Sequence, residues 1–165
     1  MTASTAQPVA ATPLHACLVL GVGLRAQASP GTLQALWAQA QSLLPGQSAC
    51  FCAVAVLQGK AGHPALAGWL GPSALLAVPV EQMRGQPVAT QSPNLQARYG
   101  TGSVAEAAAL VAAGPQAQLL LPRLVAEDGS ATLAVALRHP APFDCCMAVA
   151  GADRHAAALT QGATA

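Results

Sequence analysis

The chain has 165 residues, of which 53% are hydrophobic, 8% charged and 3% aromatic, with a formal net charge of +1. That length suits one domain with a substantial core, and so little charge leaves a surface rich in Ala, Gln and Gly. Seven Lys+Arg against six Asp+Glu form no basic run, which argues against nucleic-acid binding, and Pro or Gly interrupts every apolar run before membrane-spanning length.

Met1 to Pro13 is a Thr/Ala/Pro-rich stretch without the basic start of a secretory signal. We expect a disordered leader over 1–13, a domain over 14–138, a partly irregular segment over 139–165, and a cytoplasmic protein. His15 to Val22 (HACLVLGV) is a short apolar run rich in branched residues and reads as a central strand ended by Gly23. Ser29 suits an N-cap and Pro30 the first helical position, so a helix is expected from Pro30 to Leu44. Leu33, Leu36, Trp37, Ala40 and Leu44 fall on one stripe, which should pack on the sheet.

Ala49 to Leu57 reads as the second strand, and Gln58 to Pro64 as a loop. Pro64 opens a short helix to Leu70, and Ala74 to Val78 is a third strand. Glu81 to Gly85 allows one turn of helix at most, and Gln86 to Arg98 reads as irregular. Gln118 to Leu121 and Thr132 to Leu137 are strands, joined as a hairpin around Glu127-Asp128-Gly129-Ser130.

The best-specified helix start is Gly100-Thr101-Gly102-Ser103-Val104-Ala105-Glu106, leading into Ala-rich turns that Gly114-Pro115 stops. Ser103 and Glu106 stand at capping-box spacing, so the Glu side chain is expected to reach back to the Ser103 amide. The glycines either shape a turn before an ordinary capped helix or let the backbone approach an anion at the helix N-terminus. Alternation of strands and helices predicts a three-layer α/β/α sandwich with a mixed, mostly parallel sheet of about five strands. Its carboxyl edge is where open α/β sheets bind ligands, and Arg25, Lys60 and Arg98 are expected to surround it.

Five cysteines, Cys17, Cys50, Cys52, Cys145 and Cys146, form no C-x-x-C pair and have no His at ligand spacing. Free thiols with no disulfide, no metal and no cofactor are expected. No enzyme template fits: Gly21-Val22-Gly23 has Ala26 where a dinucleotide fingerprint has its third glycine, and Ser103 lacks the nucleophile elbow. Lys60 and His63 are the only catalytic candidates, as acid or base, and a plain loop histidine explains His63 as well.

The G-V-G-L-R turn at Gly21–Arg25, Lys60 after the second strand, G-T-G-S-V-A-E-A-A-A-L at Gly100–Leu110 and L-L-L-P-R at 119–123 occur in series. Together they resemble the CobE/CbiG C-terminal domain family of cobalamin biosynthesis over His15 to Leu137. The chain departs from the family pattern at Ala26 and Gln27, at His63 in place of a Glu, and at Arg123 in place of a Lys. As a single domain it resembles the stand-alone CobE type. The resemblance implies a corrinoid ligand with multiple carboxylates and, as handoff partners, other enzymes of the pathway. With the sheet-edge and helix-start readings, the expected ligand-binding set is Gly21, Gly23, Arg25, Lys60, Arg98, Gly100, Thr101, Gly102 and Ser103. A non-catalytic carrier of precorrins or hydrogenobyrinic acid is the favoured expectation. The alternative is a small hydrolase-like enzyme acting on a precorrin intermediate.

Overall fold

The computed structural model describes residues 17–44, 51–70 and 74–138. The expected leader, the segment 139–165, and Cys50, Cys145 and Cys146 lie outside them. Strand β1 (Cys17–Leu24) is buried along almost its whole length, as a continuous apolar run requires. It does not stop at Gly23. Thr132 and Ala131 pair with Gly23 and Leu24 from the antiparallel neighbour and carry it two residues further.

Helix α1 (Pro30–Leu43) starts as its cap signal predicts, with Ser29 Oγ accepting from the Thr32 amide at 3.1 Å. The expected stripe of Leu33, Leu36, Trp37 and Ala40 is buried. Strand β2 (Ala53–Leu57) begins after Phe51 and Cys52, and Ala49 and Cys50 of the expected strand lie outside the described residues. Phe51 leaves the strand to lay its ring against Trp37 and Trp69, at centroid distances of 5.1 and 5.4 Å. A 3₁₀ turn at Gln58–Lys60 leads to α2 (Pro64–Leu70), then β3 (Ala74–Val78) and the single turn α3 (Val80–Met83), all close to expectation.

Two elements differ from the sequence reading. Helix α4 (Pro93–Tyr99) lies in the stretch expected to be irregular. It buries no residue, so no apolar stripe announces it, although Ser92-Pro93 repeats the Ser29-Pro30 start signal. After α5 (Val104–Ala113), strand β4 (Gln118–Val125) runs through Pro122 instead of ending at Leu121. An edge strand tolerates proline at a bulge, and the register slips between Leu121 and Leu124. The hairpin to β5 (Ala131–Arg138) forms where expected, closed by Gly129 N–H to the Ala126 carbonyl at 2.8 Å.

The sheet order is β3-β2-β1-β5-β4. β1 pairs with β2, and β2 with β3, in parallel, while β5 runs antiparallel to both β1 and β4. Four of the five strands therefore point the same way, and the sheet is mixed and mostly parallel, as predicted. Side chains alternate across it. Leu18, Leu20, Val22, Val54, Val56, Leu133 and Val135 meet α1 and α2 on one face. Val19, Ala53, Ala55 and Ala136 meet the alanines of α5 on the other, completing the α/β/α sandwich.

Gly21 sets how closely α5 approaches. A Cβ there would lie 1.8 Å from the Ala105 carbonyl oxygen, so helix backbone rests directly on strand backbone. Among the described residues no helix is long and apolar enough to cross a membrane.

Candidate ligand site

Beyond the first turn of α5, the carboxyl edge of the sheet opens into a cavity of about 650 Å³. Gly23 and Thr132 form its floor, with the Thr132 hydroxyl in the space a Cβ on Gly23 would take. Arg25 comes from the turn after β1, and Leu57 and Lys60 from the end of β2 and the 3₁₀ turn that follows it. Leu95, Arg98 and Tyr99 of α4 form another wall, next to Val104 at the first position of α5. Arg123 and Val125 of β4 close the far side.

The lining holds four cations, Arg25, Lys60, Arg98 and Arg123, and no Asp or Glu. Like charges gathered in a cleft with low-dielectric walls focus the potential and attract an anion. Arg presents planar forks that match carboxylates, and the Arg98 guanidinium also lies 5.1 Å from the Tyr99 ring centroid. Leu57, Leu95, Tyr99, Val104 and Val125 supply apolar surface between the charges. The cavity is therefore suited to an apolar body carrying several carboxylates.

Of the expected ligand set, the structure brings Gly23, Arg25, Lys60 and Arg98 together around this cavity. The other members stand behind it. Gly21 is covered by α5. Gly100 is the left-handed C-cap of α4 (φ 72°), and its amide donates to the Gln96 carbonyl at 3.0 Å. A Cβ on Gly102 would meet the Thr90 carbonyl oxygen at 2.4 Å, so the chain that approaches this glycine is the protein's own. Thr101 and Ser103 are buried and serve the helix start. Ser103 Oγ accepts from the Glu106 amide at 3.3 Å, and Thr101 Oγ1 accepts from the Ser103 amide at 3.4 Å.

Glu106 departs from its expected role. Its side chain does not reach back to the N-cap, where Thr101 has taken that amide. The carboxylate is fully buried and accepts four hydrogen bonds from elsewhere. Oε2 accepts from the amides of Ala89 (2.7 Å) and Thr90 (3.0 Å). Oε1 accepts from the Thr90 hydroxyl and from the Arg123 amide at 2.9 Å. Burial works against ionisation, but the bonds from the Thr90 hydroxyl and the three amides outweigh it and hold the carboxyl below its ordinary value.

His63 is held at both ring nitrogens. Nδ1 accepts from the Ala65 amide at 3.1 Å, so Nε2 carries the proton and donates to the Arg25 carbonyl at 3.0 Å. It caps α2 and pins the backbone of Arg25, which leaves neither nitrogen open for acid–base work. Lys60 lines the cavity. No group of three or more metal-ligating side chains occurs among the described residues.

Tyr99, Leu95 and Val125 are not among the expected site residues, and Arg123 entered only through the L-L-L-P-R motif, as an Arg in place of the family's Lys. Their signal was weak, because α4 carries no stripe and Pro122 hid the continuation of β4. What the sequence did offer was the scarcity of charge, which makes each cation near the sheet edge informative.

The family model described as "Cobalamin synthesis G C-terminus" matches residues 18–136. The chain belongs to this family. Among solved structures the domain is similar to CobE, a protein from the cobalamin (vitamin B12) biosynthetic pathway, with 26% identity and a TM-score of 0.66, covering 76% of this chain and 92% of that one. It is also similar to the cobalamin biosynthesis protein chiG from Agrobacterium tumefaciens, with 28% identity, a TM-score of 0.55, and coverage of 74% and 99%. A cobalamin biosynthesis protein G homologue from Sulfolobus solfataricus shares the fold at 18% identity and a TM-score of 0.56, over 75% of this chain and 37% of that one. No curated protein matches. Family and neighbours together assign this CbiG C-terminal-type domain to cobalamin biosynthesis.

Proposed function

We propose that this domain binds corrin-ring intermediates, precorrins or hydrogenobyrinic acid, as a cytoplasmic carrier that shields them and hands them to other enzymes of the pathway. The observation that carries the reading is the cavity with four cations and no carboxylate at the carboxyl edge of the sheet. Corrin intermediates are apolar macrocycles rimmed by carboxylates. Arg25, Lys60, Arg98 and Arg123 answer the rim, and Leu57, Leu95, Tyr99, Val104 and Val125 answer the ring. The N-terminus of α5 adds a favourable dipole at the same place. The hydrolase-like alternative needs an acid–base group, and the occupied nitrogens of His63 weigh against it.

The test is a titration with hydrogenobyrinic acid at two salt concentrations, with mass spectrometry of the mixture. Arg25→Ala and Lys60→Ala are each expected to weaken binding about tenfold, or about 1.4 kcal/mol, and to flatten its salt dependence. The ligand mass should not change. Parent-like affinity in both folded variants would place the ligand elsewhere, and multiple turnovers to a new mass would promote the hydrolase reading.

A further inference from the structure

Helix α4 buries no side chain of its own, yet it carries Leu95, Arg98 and Tyr99 into the cavity. Apolar packing therefore holds it only through the half-buried Leu95 and Tyr99. Its entry is tied down instead. The Ala89 and Thr90 amides donate to Glu106 Oε2, and the Ser92 amide donates to the Gly102 carbonyl at 3.0 Å.

The opposite wall depends on the same carboxylate. In β4, Leu121 pairs with Val135 and Leu124 with Leu133, so Pro122 and Arg123 together oppose the single residue Ala134. Pro122 has no N–H to give, and the Arg123 N–H leaves the ladder for Glu106 Oε1. The bulge sets where the Arg123 side chain enters the cavity, and Glu106 is what the bulge is fastened to.

We infer that Glu106 is a positioning residue for the ligand site, one buried carboxylate that fastens the Arg123 bulge and the approach to α4 and so fixes the spacing of the cations across the cavity. This rests on the cavity being the binding site. Glu106 does not line it. Its role comes from chemistry that only a carboxylate offers: two oxygens that only accept, meeting four donors from two segments distant in sequence.

Glu106→Gln separates the two fastenings. A carboxamide keeps one accepting oxygen and brings an NH2 group. With the oxygen on the Ala89 and Thr90 amides, the NH2 faces the Thr90 hydroxyl, which can rotate and accept, and the Arg123 amide, which cannot. The reverse orientation strands two amide donors instead of one. The variant therefore keeps the approach to α4 and releases Arg123.

The experiment compares Glu106→Gln, Arg123→Ala, the double variant and Arg25→Ala. Each is titrated with hydrogenobyrinic acid, and backbone amide exchange is followed by NMR. Glu106→Gln is expected to exchange the Arg123 amide faster while Ala89 and Thr90 stay protected. It should also weaken binding about tenfold, as Arg123→Ala does. The double variant should bind no more weakly than Arg123→Ala alone, because the two changes remove one contact. Adding Arg25→Ala should weaken binding further.

A merely structural Glu106 would lower the melting temperature and leave the affinity of the folded variant unchanged, which would overturn the proposal. Unchanged exchange at Arg123 would overturn it as well. If Arg25→Ala and Arg123→Ala both bind like the parent, the cavity reading fails first and the positioning role falls with it. Should Glu106→Gln not fold, Thr90→Val removes a donor from the same oxygen. It is expected to speed Arg123 exchange and weaken binding about threefold, and parent-like values for both would refute the inference.

Discussion

The face of the sheet under α1 is filled with leucine, valine and tryptophan, whereas the face under α5 is filled with alanine, Gly21 and, at its end, a buried carboxylate. On the first face large side chains interdigitate and hold α1 and α2 off the strands. On the second the helix backbone sits on strand backbone at Gly21, and the larger side chains Val19, Val78, Met83 and Leu110 pack around the alanines. The cationic cavity opens just past the N-terminus of α5. Large side chains make a stable layer, while small ones bring a helix start and its dipole close to the sheet edge, with the capping groups Thr101 and Ser103 buried behind the cavity.

The sharpest way to break this contrast is to add a methyl group on the close-packed face. Gly21→Ala puts a Cβ 1.8 Å from one backbone atom and 2.7 Å from another, neither of which can rotate away. It should cost about 4 kcal/mol or more, the upper end of overpacking, and move the urea midpoint accordingly. A parent-like midpoint would mean that α5 slides freely on β1.

Removing bulk from the other face should act differently. Leu36→Ala is expected to cost about 3 kcal/mol through a cavity that the neighbouring leucines fill only in part. Because Leu36 packs beneath α1, away from the cations, the affinity of the folded variant for hydrogenobyrinic acid should stay within about twofold of the parent. A tenfold loss would show that the two faces are coupled.

The smallest expected effect sharpens the contrast at Glu106. Its folded carboxyl titrates below the 4.5 of the unfolded chain, so its contribution is complete above that pH and is lost as the pH falls through the lower folded value. The parent's melting temperature should drop on acidification below 4.5 more steeply than that of Glu106→Gln, which has no carboxyl there to protonate. Equal slopes would mean that the hydrogen bonds to Glu106 contribute little to stability.

Local signals were strong wherever a segment carries its own instructions. Ser29-Pro30 and the Leu33, Leu36, Trp37 stripe specify α1, Pro64 specifies α2, and Ser103 with Gly114 brackets α5. Branched apolar runs mark β1, β2, β3 and β5, and their alternation with helices implies the α/β/α layering. The cations Arg25, Lys60 and Arg98 could be picked out because so few charges compete with them. None of this needs contacts between distant residues, since caps, stripes and runs act within a few positions of one another.

What tertiary structure alone decided has the opposite character. Helix α4 has no buried face to leave a period in the sequence, and its place depends on amide bonds to Glu106 and Gly102. The passage of β4 through Pro122 depends on a bulge against Ala134. His63 could be a base or a brace until the Ala65 amide and the Arg25 carbonyl were found on its two nitrogens. Glu106 carries the spacing of a capping box, and within its own helix that reading is complete. Only the folded chain brings Ala89, Thr90 and Arg123 to its oxygens. A buried carboxylate takes whichever set of donors satisfies it best, and those donors lie 16 and 17 residues away on either side.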